Sequence, residues 1–286
     1  MSDDAAAETS AAHAATLADA VLTAEAERQA EQAEREVLFA DDLLPGVGDE
    51  ALTLRQGLEV GGAFTFVVLL LLNALEQLEG AALSVLAPDI RDAFNVSSGV
   101  IVFISAAAGG FLVLGAVPMG WLADRYNRPR IVGIASLVFS AMVACSGLAV
   151  NAFTLFLARF GVGIARSNTL PVHGSLIADT YPIGVRGRLS ATTMGAGLVI
   201  AAISPVLVGG IADLAGGANG WRWAFFVLGI PVLGAAFLAF RIREVPRGQF
   251  EMKDVLGEVI DTTPVAMSME SVFSRLKQIR TLRTVM

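Results

Sequence analysis

Residues 99–149 read GVIVFISAAAGGFLVLGAVPMGWLADRYNRPRIVGIASLVFSAMVACSGLA and contain two long uncharged runs on either side of a short basic loop. The first run, Gly99 to Gly120, has the length of about 20 helical residues that crosses a bilayer core about 30 Å thick. The second run continues from Ile131 to Ala158, which is too long for one crossing. We therefore expect it to contain the helix 131–149 and the start of the helix 152–174, with a break near Asn151.

The composition excludes a soluble enzyme. Hydrophobic residues make up 55% of the 286 residues and charged residues only 16%, and the mean hydropathy is +0.65. A soluble domain of this size cannot cover its surface with so few charges. Cys145 is the only cysteine, and the two histidines, His13 and His173, lie far apart in the sequence. We expect no disulfide, no metal site, no cofactor and no catalytic residue.

Three further apolar segments bring the expected number of membrane-spanning helices to six. They are the regions of about 62–86, 189–212 and 223–240. The sequence therefore predicts an all-α integral membrane protein with a six-transmembrane-helix bundle over residues 60–243.

The first span differs from the others because it carries Asn73, Glu76 and Glu79. Ionisable residues inside a membrane span are costly, and they usually mark a functional site.

The charges divide the chain into an acidic tail and a mildly basic body. Residues 1–59 contain 14 Asp and Glu against 3 Arg, and residues 60–286 contain 17 Arg and Lys against 13 Asp and Glu. We expect residues 1–59 to form an Ala/Glu-rich cytoplasmic tail, partly helical or disordered, that ends in a polar linker through Glu59. A negative tail excludes nucleic acid as a partner, because the phosphates would repel it. Residues 244–286 are interpreted as a cytoplasmic loop that leads toward a seventh helix.

The distribution of arginines predicts the orientation in the membrane. If the N-terminus is cytoplasmic, only Arg91 and Arg222 lie outside, and eight arginines in or beside the loops lie inside: Arg125, Arg128, Arg130, Arg186, Arg188, Arg241, Arg243 and Arg247. Short cytoplasmic loops carry an excess of Lys and Arg. We therefore expect a multi-pass protein of the plasma or bacterial inner membrane with both termini in the cytoplasm and with membrane lipids as partners.

The loop GWLADRYNRPR, residues 120–130, resembles the loop signature of the major facilitator superfamily, with Asn127 where a Gly is usual. This resemblance implies two six-helix bundles with the transport path between them, so the chain would be the N-terminal half of such a transporter. A second six-helix half would then lie in the same longer chain or in another. In this interpretation Gly120 permits close helix approach, Asp124 pairs with a neighbouring arginine, and the conformational switch contains Gly120, Asp124, Arg125, Arg128, Asp179, Arg186 and Arg188.

The segments RFGVGIARSNTLP (159–171) and LIADTYP (176–182) are similar to the Spinster-like branch of that superfamily. Arg159, Gly163, Pro171 and Asp179 fall in register with the branch pattern. The chain departs from that pattern at two positions, since Arg166 replaces a Glu and Gln77 replaces an Arg beside the acid of the first span. The ionisable residues of the expected site are therefore arranged differently from those of the branch.

The resemblance implies that Glu76 faces a cavity containing Arg159 and Arg166, with Asn73 and Glu79 in the same set. A carboxylate in a low-dielectric surrounding binds protons more readily than one in water, which makes Glu76 the candidate for proton coupling. The alternatives are that Glu76 is a structural partner of Arg159 with no transport role and that Glu79 reaches the lipid headgroups. The glycines of the spans are interpreted as points of close helix contact.

Two functions of different classes fit these features. The first is a secondary active transporter, coupled to protons, that moves a small organic anion or an amphiphilic, lipid-like solute by alternating access. An anionic group would complement the buried arginines. The second is a six-helix membrane unit that transports nothing and either anchors the acidic tail or forms half of a split transporter.

Overall fold

The computed structural model describes residues 52–256, so the predictions for the acidic tail and for the approach to a seventh helix lie outside the described residues. The described regular structure is entirely helical, as predicted. A π-helical turn, Thr169–His173, lies between the sixth and seventh of its α-helices. The α-helices in chain order are α1 Leu54–Gly61, α2 Ala63–Val85, α3 Ala87–Phe94, α4 Ser98–Arg125, α5 Arg128–Gly147, α6 Ala152–Arg166, α7 Gly174–Thr180, α8 Ile183–Ala215, α9 Gly220–Ala239 and α10 Gln249–Leu256.

Between residues 52 and 256, five helices are long and apolar enough to cross a membrane: α2, α4, α5, α8 and α9. The fourth expected crossing in chain order, 152–174, is not one continuous helix. It consists of α6, the π-helical turn and α7. Ser167 and Asn168 bond back to the carbonyls of the preceding turn, each at 2.6 Å, and Pro171 cannot donate a backbone hydrogen bond. These residues interrupt the regular hydrogen-bonding pattern.

The helix ends extend past the uncharged runs that predicted them. Helix α4 continues to Arg125, and α8 begins at Ile183 rather than at Leu189. A charged side chain ends an apolar run but leaves the backbone hydrogen bonds of a helix intact, which explains the difference. The break near Asn151 is present, and the Asn151 side chain accepts the backbone N–H of Thr154 at 2.9 Å, as expected for an N-terminal cap.

The last part of the expected linker through Glu59 is helical. Residues Leu54–Gly61 form the short helix α1, whose N-terminus is closed by a capping box between Thr53 and Gln56. The helix packs closely on α8, because a Cβ atom added at Gly57 would lie 2.6 Å from the side chain of Val185. The mixed polar and apolar residues of this segment are therefore those of an amphipathic helix on the surface of the bundle.

The bundle packs α5 against α6 and α9, α2 against α8 and α9, and α4 against α6. One hydrophobic core lies around Phe139, Trp221 and Phe225. A second core, around Leu69 and Val132, lies toward the end of the bundle that carries Tyr181. Helices α4 and α8 are the least buried of the five long helices. In their most apolar stretches, 11% and 17% of the helix is buried inside the bundle, against 44–50% in α2, α5 and α9.

Candidate functional site

Four ionisable side chains from two helices gather inside the bundle. Helix α2 provides Glu76 and Glu79, which are three residues apart and therefore share a face. Helix α6 provides Arg159 and Arg166, which are seven residues or about two turns apart on one face. The exposed fractions of Glu76, Glu79 and Arg159 are 4%, 1% and 3%. The structure thus brings together the charged residues that the sequence singled out.

The buried ion pair of this cluster joins Arg159 to Glu79. Arg159 Nη1 lies 2.5 Å from Glu79 Oε1, and its Nε and Nη2 donate to the hydroxyl of Ser146 at 3.1 and 2.8 Å. The guanidinium also stacks 4.8 Å from the centre of the Phe225 ring. The alternative in which Arg159 pairs with Glu76 is therefore wrong, and so is the alternative in which Glu79 reaches the lipid headgroups.

The depth of the two residues explains this pairing. Glu79 is six residues before the end of α2, and Arg159 is seven residues after the start of α6, which places them about 9 and 10.5 Å from these ends. The two ends are expected on the same side of the membrane. The similar depths, counted from the observed helix ends, account for the pairing of Glu79 with Arg159.

Glu76 has a different environment from Glu79. Its Oε2 accepts a hydrogen bond of 2.8 Å from the hydroxyl of Thr169, the first residue of the π-helical turn. Within residues 52–256 Glu76 takes part in no ion pair. Sequence reasoning missed Thr169, because a threonine near the end of a predicted helix gives no signal of its own.

Gln77 and Arg166, the two residues at which the chain departs from the Spinster-like pattern, contact each other. Arg166 Nη2 donates to Gln77 Oε1 at 3.4 Å, and a Cβ atom added at Gly80 would lie 2.8 Å from Arg166 Nη1. The guanidinium therefore lies over the open backbone of Gly80, and its Nε has no hydrogen-bond partner in the described part of the chain. The Spinster-like pattern has an Arg on the first span where this chain has Gln77. It has a Glu on the fourth span where this chain has Arg166. Asn73 and Gln77 both lie against Gly197 of α8.

A cavity of about 170 Å³ opens between α2, α4 and α6 beside these residues. Its charged lining consists of Glu79, Arg159 and Arg166, and Leu83 and Leu112 are among its apolar residues. Since a water molecule takes about 30 Å³ in the liquid, this volume holds on the order of five waters. It is smaller than the roughly 300 Å³ at which sites for drug-sized ligands begin. The cavity can accommodate one small polar group of a ligand.

The predicted switch residues form a second cluster at one end of the bundle. Arg128 is 1% exposed, forms an ion pair with Asp179 and donates from Nε to Glu244 Oε1 at 2.7 Å. Asp179 Oδ1 also accepts the backbone N–H of Gly248 at 2.8 Å. The segment after α9 is therefore held against the α4–α5 loop and the end of α7. Glu244 was not predicted as a member of this cluster, although it follows the sixth span directly.

The remaining switch residues are Arg186, Arg188, Arg125, Asp124 and Gly120. Arg186 Nη1 lies 2.5 Å from Glu251 Oε1 and lowers the pKa of that carboxyl, and Arg188 donates to the carbonyl of Leu52. Arg125 lies 4.2 Å over the ring of Trp121. Asp124 is exposed and belongs to no ion pair within the described range, so its predicted pairing with an arginine is not seen there. An added Cβ at Gly120 would lie 3.7 Å from Pro171, an ordinary packing distance.

Tyr181 connects this end of the bundle to the start of α2. Its hydroxyl donates to the carbonyl of Gly62 at 2.7 Å and accepts the backbone N–H of Phe66 at 3.0 Å. Burial raises the pKa of Tyr181 to about 12, so the hydroxyl keeps the proton that it donates. Sequence reasoning did not single out this residue.

The described bundle combines buried charges on two facing helices with a basic loop held by ion pairs at one end. The family model of the Major Facilitator Superfamily matches residues 69–283, and the chain belongs to this superfamily. It is 32% identical to protein spinster homolog 1 of Homo sapiens over 72% of the chain and 40% of that protein. It is also 26% identical to the probable galactarate/D-glucarate transporter GudP of Bacillus subtilis (strain 168), over 58% of the chain and 37% of the relative.

Among solved structures, the chain is similar to a bacterial homologue of the human lysosomal transporter Spinster in an inward-facing and occupied conformation. The TM-score is 0.55 at 25% identity, over 65% of this chain and 45% of the other. The predicted superfamily and Spinster-like branch are confirmed. The chain spans less than half the length of each of these relatives.

Proposed function

We propose that this chain forms the N-terminal six-helix half of a secondary active transporter in the cell membrane, with both termini cytoplasmic. The observation that carries the proposal is the polar cluster inside the bundle. An ion pair and a second arginine line a cavity, and a separate carboxylate, Glu76, is bonded to the π-helical turn without lining that cavity. Buried charges in a membrane are expensive. A unit that only anchored the acidic tail would gain nothing from them.

The proton site in this proposal is Glu76. Its carboxylate is held by the Thr169 hydroxyl and is not part of the Glu79–Arg159 ion pair, so protonating it breaks no ion pair between described residues. Glu79 is a poorer candidate, because adding a proton would leave Arg159 as a buried cation without its counter-charge. The Thr169 contact also links the proton site to the π-helical turn, where local backbone geometry is most easily changed.

The solute site in this proposal is the cavity beside Arg166. Since Glu79 already neutralises Arg159, the cationic group left to receive a ligand is the Arg166 guanidinium, which bonds only weakly to Gln77. A planar guanidinium binds carboxylate or phosphate in a fixed geometry. We therefore infer a solute with one small anionic group and a less polar remainder, either a small organic anion or an amphiphilic, lipid-like molecule.

The surfaces of α4 and α8 are proposed to receive the second six-helix half, from the same longer chain or from another. These helices are the least covered of the five long ones. A Cβ atom added at Gly109, Gly110 or Gly195 would meet nothing within 4 Å, so these glycines do not serve close contacts inside the described bundle. Small residues let helices of two units approach closely.

The test is Glu76→Gln in the complete carrier, reconstituted in proteoliposomes. Glutamine keeps the hydrogen bond to Thr169 but cannot titrate, so we expect uptake driven by a proton gradient to fall at least 100-fold while solute exchange at equal pH continues. The control is Glu59→Gln, which removes an exposed carboxylate and should change neither rate. Full gradient-driven uptake by a folded Glu76→Gln variant would contradict the proton site. Absence of uptake and exchange in the unaltered carrier would favour the anchoring role.

A further inference from the structure

A second cavity, of about 470 Å³, lies between the later part of α4, the first part of α5 and the end of α6. It shares no lining residue with the cavity beside Arg166. Its walls are almost entirely apolar: Met119, Leu122, Ile131, Ile134, Val138 and Ile164. We call this cavity the α4–α5 groove.

The α4–α5 groove is open along its length and polar at one end. Ile134 and Val138, on its rim, are 57% and 43% exposed. They lie on α5, outside the α4 and α8 surfaces assigned to the second six-helix half, so they face lipid tails. Tyr126, Asn127 and Arg130 lie at the end next to the α4–α5 loop. The groove therefore runs from the expected cytoplasmic surface into the bilayer.

The polar end offers a cation and hydrogen-bond donors. Arg130 is exposed, and its side chain forms no ion pair between residues 52 and 256. The Asn127 side-chain oxygen caps α5 by accepting the backbone N–H of Arg130 at 3.0 Å, which leaves the amide nitrogen to donate. The Glu244 carboxylate already accepts the backbone N–H of Arg128, the first residue of α5. It also forms an ion pair with the Arg128 side chain. The attraction for an anion at this end therefore comes from Arg130.

We propose that the α4–α5 groove is a binding site for one anionic phospholipid of the cytoplasmic leaflet. The Arg130 guanidinium binds the phosphate, and Tyr126 and Asn127 contact the headgroup. One acyl chain lies along the groove from Arg130 to Val138, a distance of about 12 Å along α5. The charge at one end and the apolar walls beyond it match such a lipid, whereas an acidic peptide would match only the charge.

Native mass spectrometry of the full chain tests this proposal with two lipids of equal acyl composition, phosphatidylglycerol and phosphatidylcholine. We expect Arg130→Gln to lower retention of phosphatidylglycerol about fivefold without affecting phosphatidylcholine. Ile134→Trp fills the groove and should reduce retention of both lipids. The matched controls are Arg241→Gln, an exposed arginine outside the groove, and Ile230→Trp, an exposed apolar position on α9. Both controls should bind like the unaltered chain.

A photo-crosslinking residue at Ile134 identifies what occupies the groove in membranes that contain phosphatidylglycerol. A lipid adduct at this position supports the proposal. An adduct with a peptide of the chain itself would overturn it, and so would retention of phosphatidylglycerol at the unaltered level in both Arg130→Gln and Ile134→Trp. Loss of binding in Arg130→Gln alone, with Ile134→Trp unaffected, would assign the lipid to the loop surface and also overturn the groove.

Discussion

At the scale of single residues, the ion pair of Arg159 and Glu79 shows how this chain keeps charges inside a membrane. Each partner is almost fully buried, and Ser146 satisfies two further guanidinium donors. Taking one charge out of water costs several kcal/mol, and only a close partner offsets that cost. The pair is therefore stable as a unit, and neither member is well tolerated alone.

Glu79→Gln should destabilise the protein by about 3 kcal/mol, because it leaves Arg159 as a buried cation without its counter-charge. Arg159→Gln should cost a similar amount. The double variant should lose less than the sum of the two, since no unpaired charge remains. Denaturant unfolding in detergent micelles measures all three free energies, with Glu59→Gln as the control. Strictly additive losses would mean that the two side chains do not stabilise each other.

At the scale of secondary-structure elements, glycines separate close helix contacts from open surface. A Cβ atom added at Gly163 of α6 would lie 2.4 Å from the carbonyl oxygen of Ala108 on α4. That atom is part of the backbone, so it cannot move aside without shifting a helix. At Gly234 of α9 an added Cβ would meet nothing within 4 Å.

Gly163→Ala should therefore lower the free energy of unfolding by about 1–3 kcal/mol, because it forces α4 and α6 apart. Gly234→Ala is the matched control and should be neutral or stabilising by up to about 1 kcal/mol, since alanine favours helix over glycine. Thermal unfolding of the two variants in the same detergent compares them directly. Equal effects would show that the α4–α6 contact does not limit stability.

The sequence predicted the elements better than their details, for reasons that differ from element to element. Uncharged length identifies the long helices, because crossing a bilayer fixes how many apolar residues are needed. It cannot locate the π-helical turn, which depends on the side-chain hydrogen bonds of Ser167 and Asn168 to the preceding carbonyls. It also overlooked α1, a helix too short and too polar to stand out by hydropathy.

The four charged residues of the candidate site were predicted, but their pairing was not. Glu76 and Glu79 were identified because a charge inside an apolar run is conspicuous, and Arg159 and Arg166 were identified through the resemblance to the Spinster-like pattern. Which acid meets which arginine depends on the relative depth of α2 and α6, and hydropathy fixes helix ends only to within a few residues. The contact of Glu76 with Thr169 depends on the irregular backbone of the π-helical turn and could not be foreseen.

At the scale of the whole bundle, the two ends differ in how they are held together. One end is joined by charged groups, among them Arg128, Asp179 and Glu244. At the other end Arg222 donates to the carbonyls of Gly147 and Ala149 and lies 4.2 Å over the ring of Trp221. The charged end contains the loops that are expected in the cytoplasm.

Cysteine labelling of intact cells tests this orientation. In a chain with Cys145→Ser, a cysteine at Ala218, in the turn between α8 and α9, should react with an impermeant thiol reagent added outside. A cysteine at Tyr126, which is 58% exposed at the other end, should react only after the membrane is opened. The reverse pattern would place both termini outside and reject the proposed topology.

The π-helical turn at Thr169–His173 makes this segment tolerant of a change in length. A π turn holds one residue more than the α-helical turn it replaces. Deleting one residue from it would restore α geometry and keep α6 and α7 in nearly the same rotational register, because the turn would close with one residue fewer. The same deletion inside the regular part of α6 would instead rotate Arg159 by about 100° relative to the residues that follow it. In the evolution of this chain, a codon lost from the turn would therefore cost only the contact of Thr169 with Glu76, whereas a codon lost one or two turns earlier would break up the buried charges.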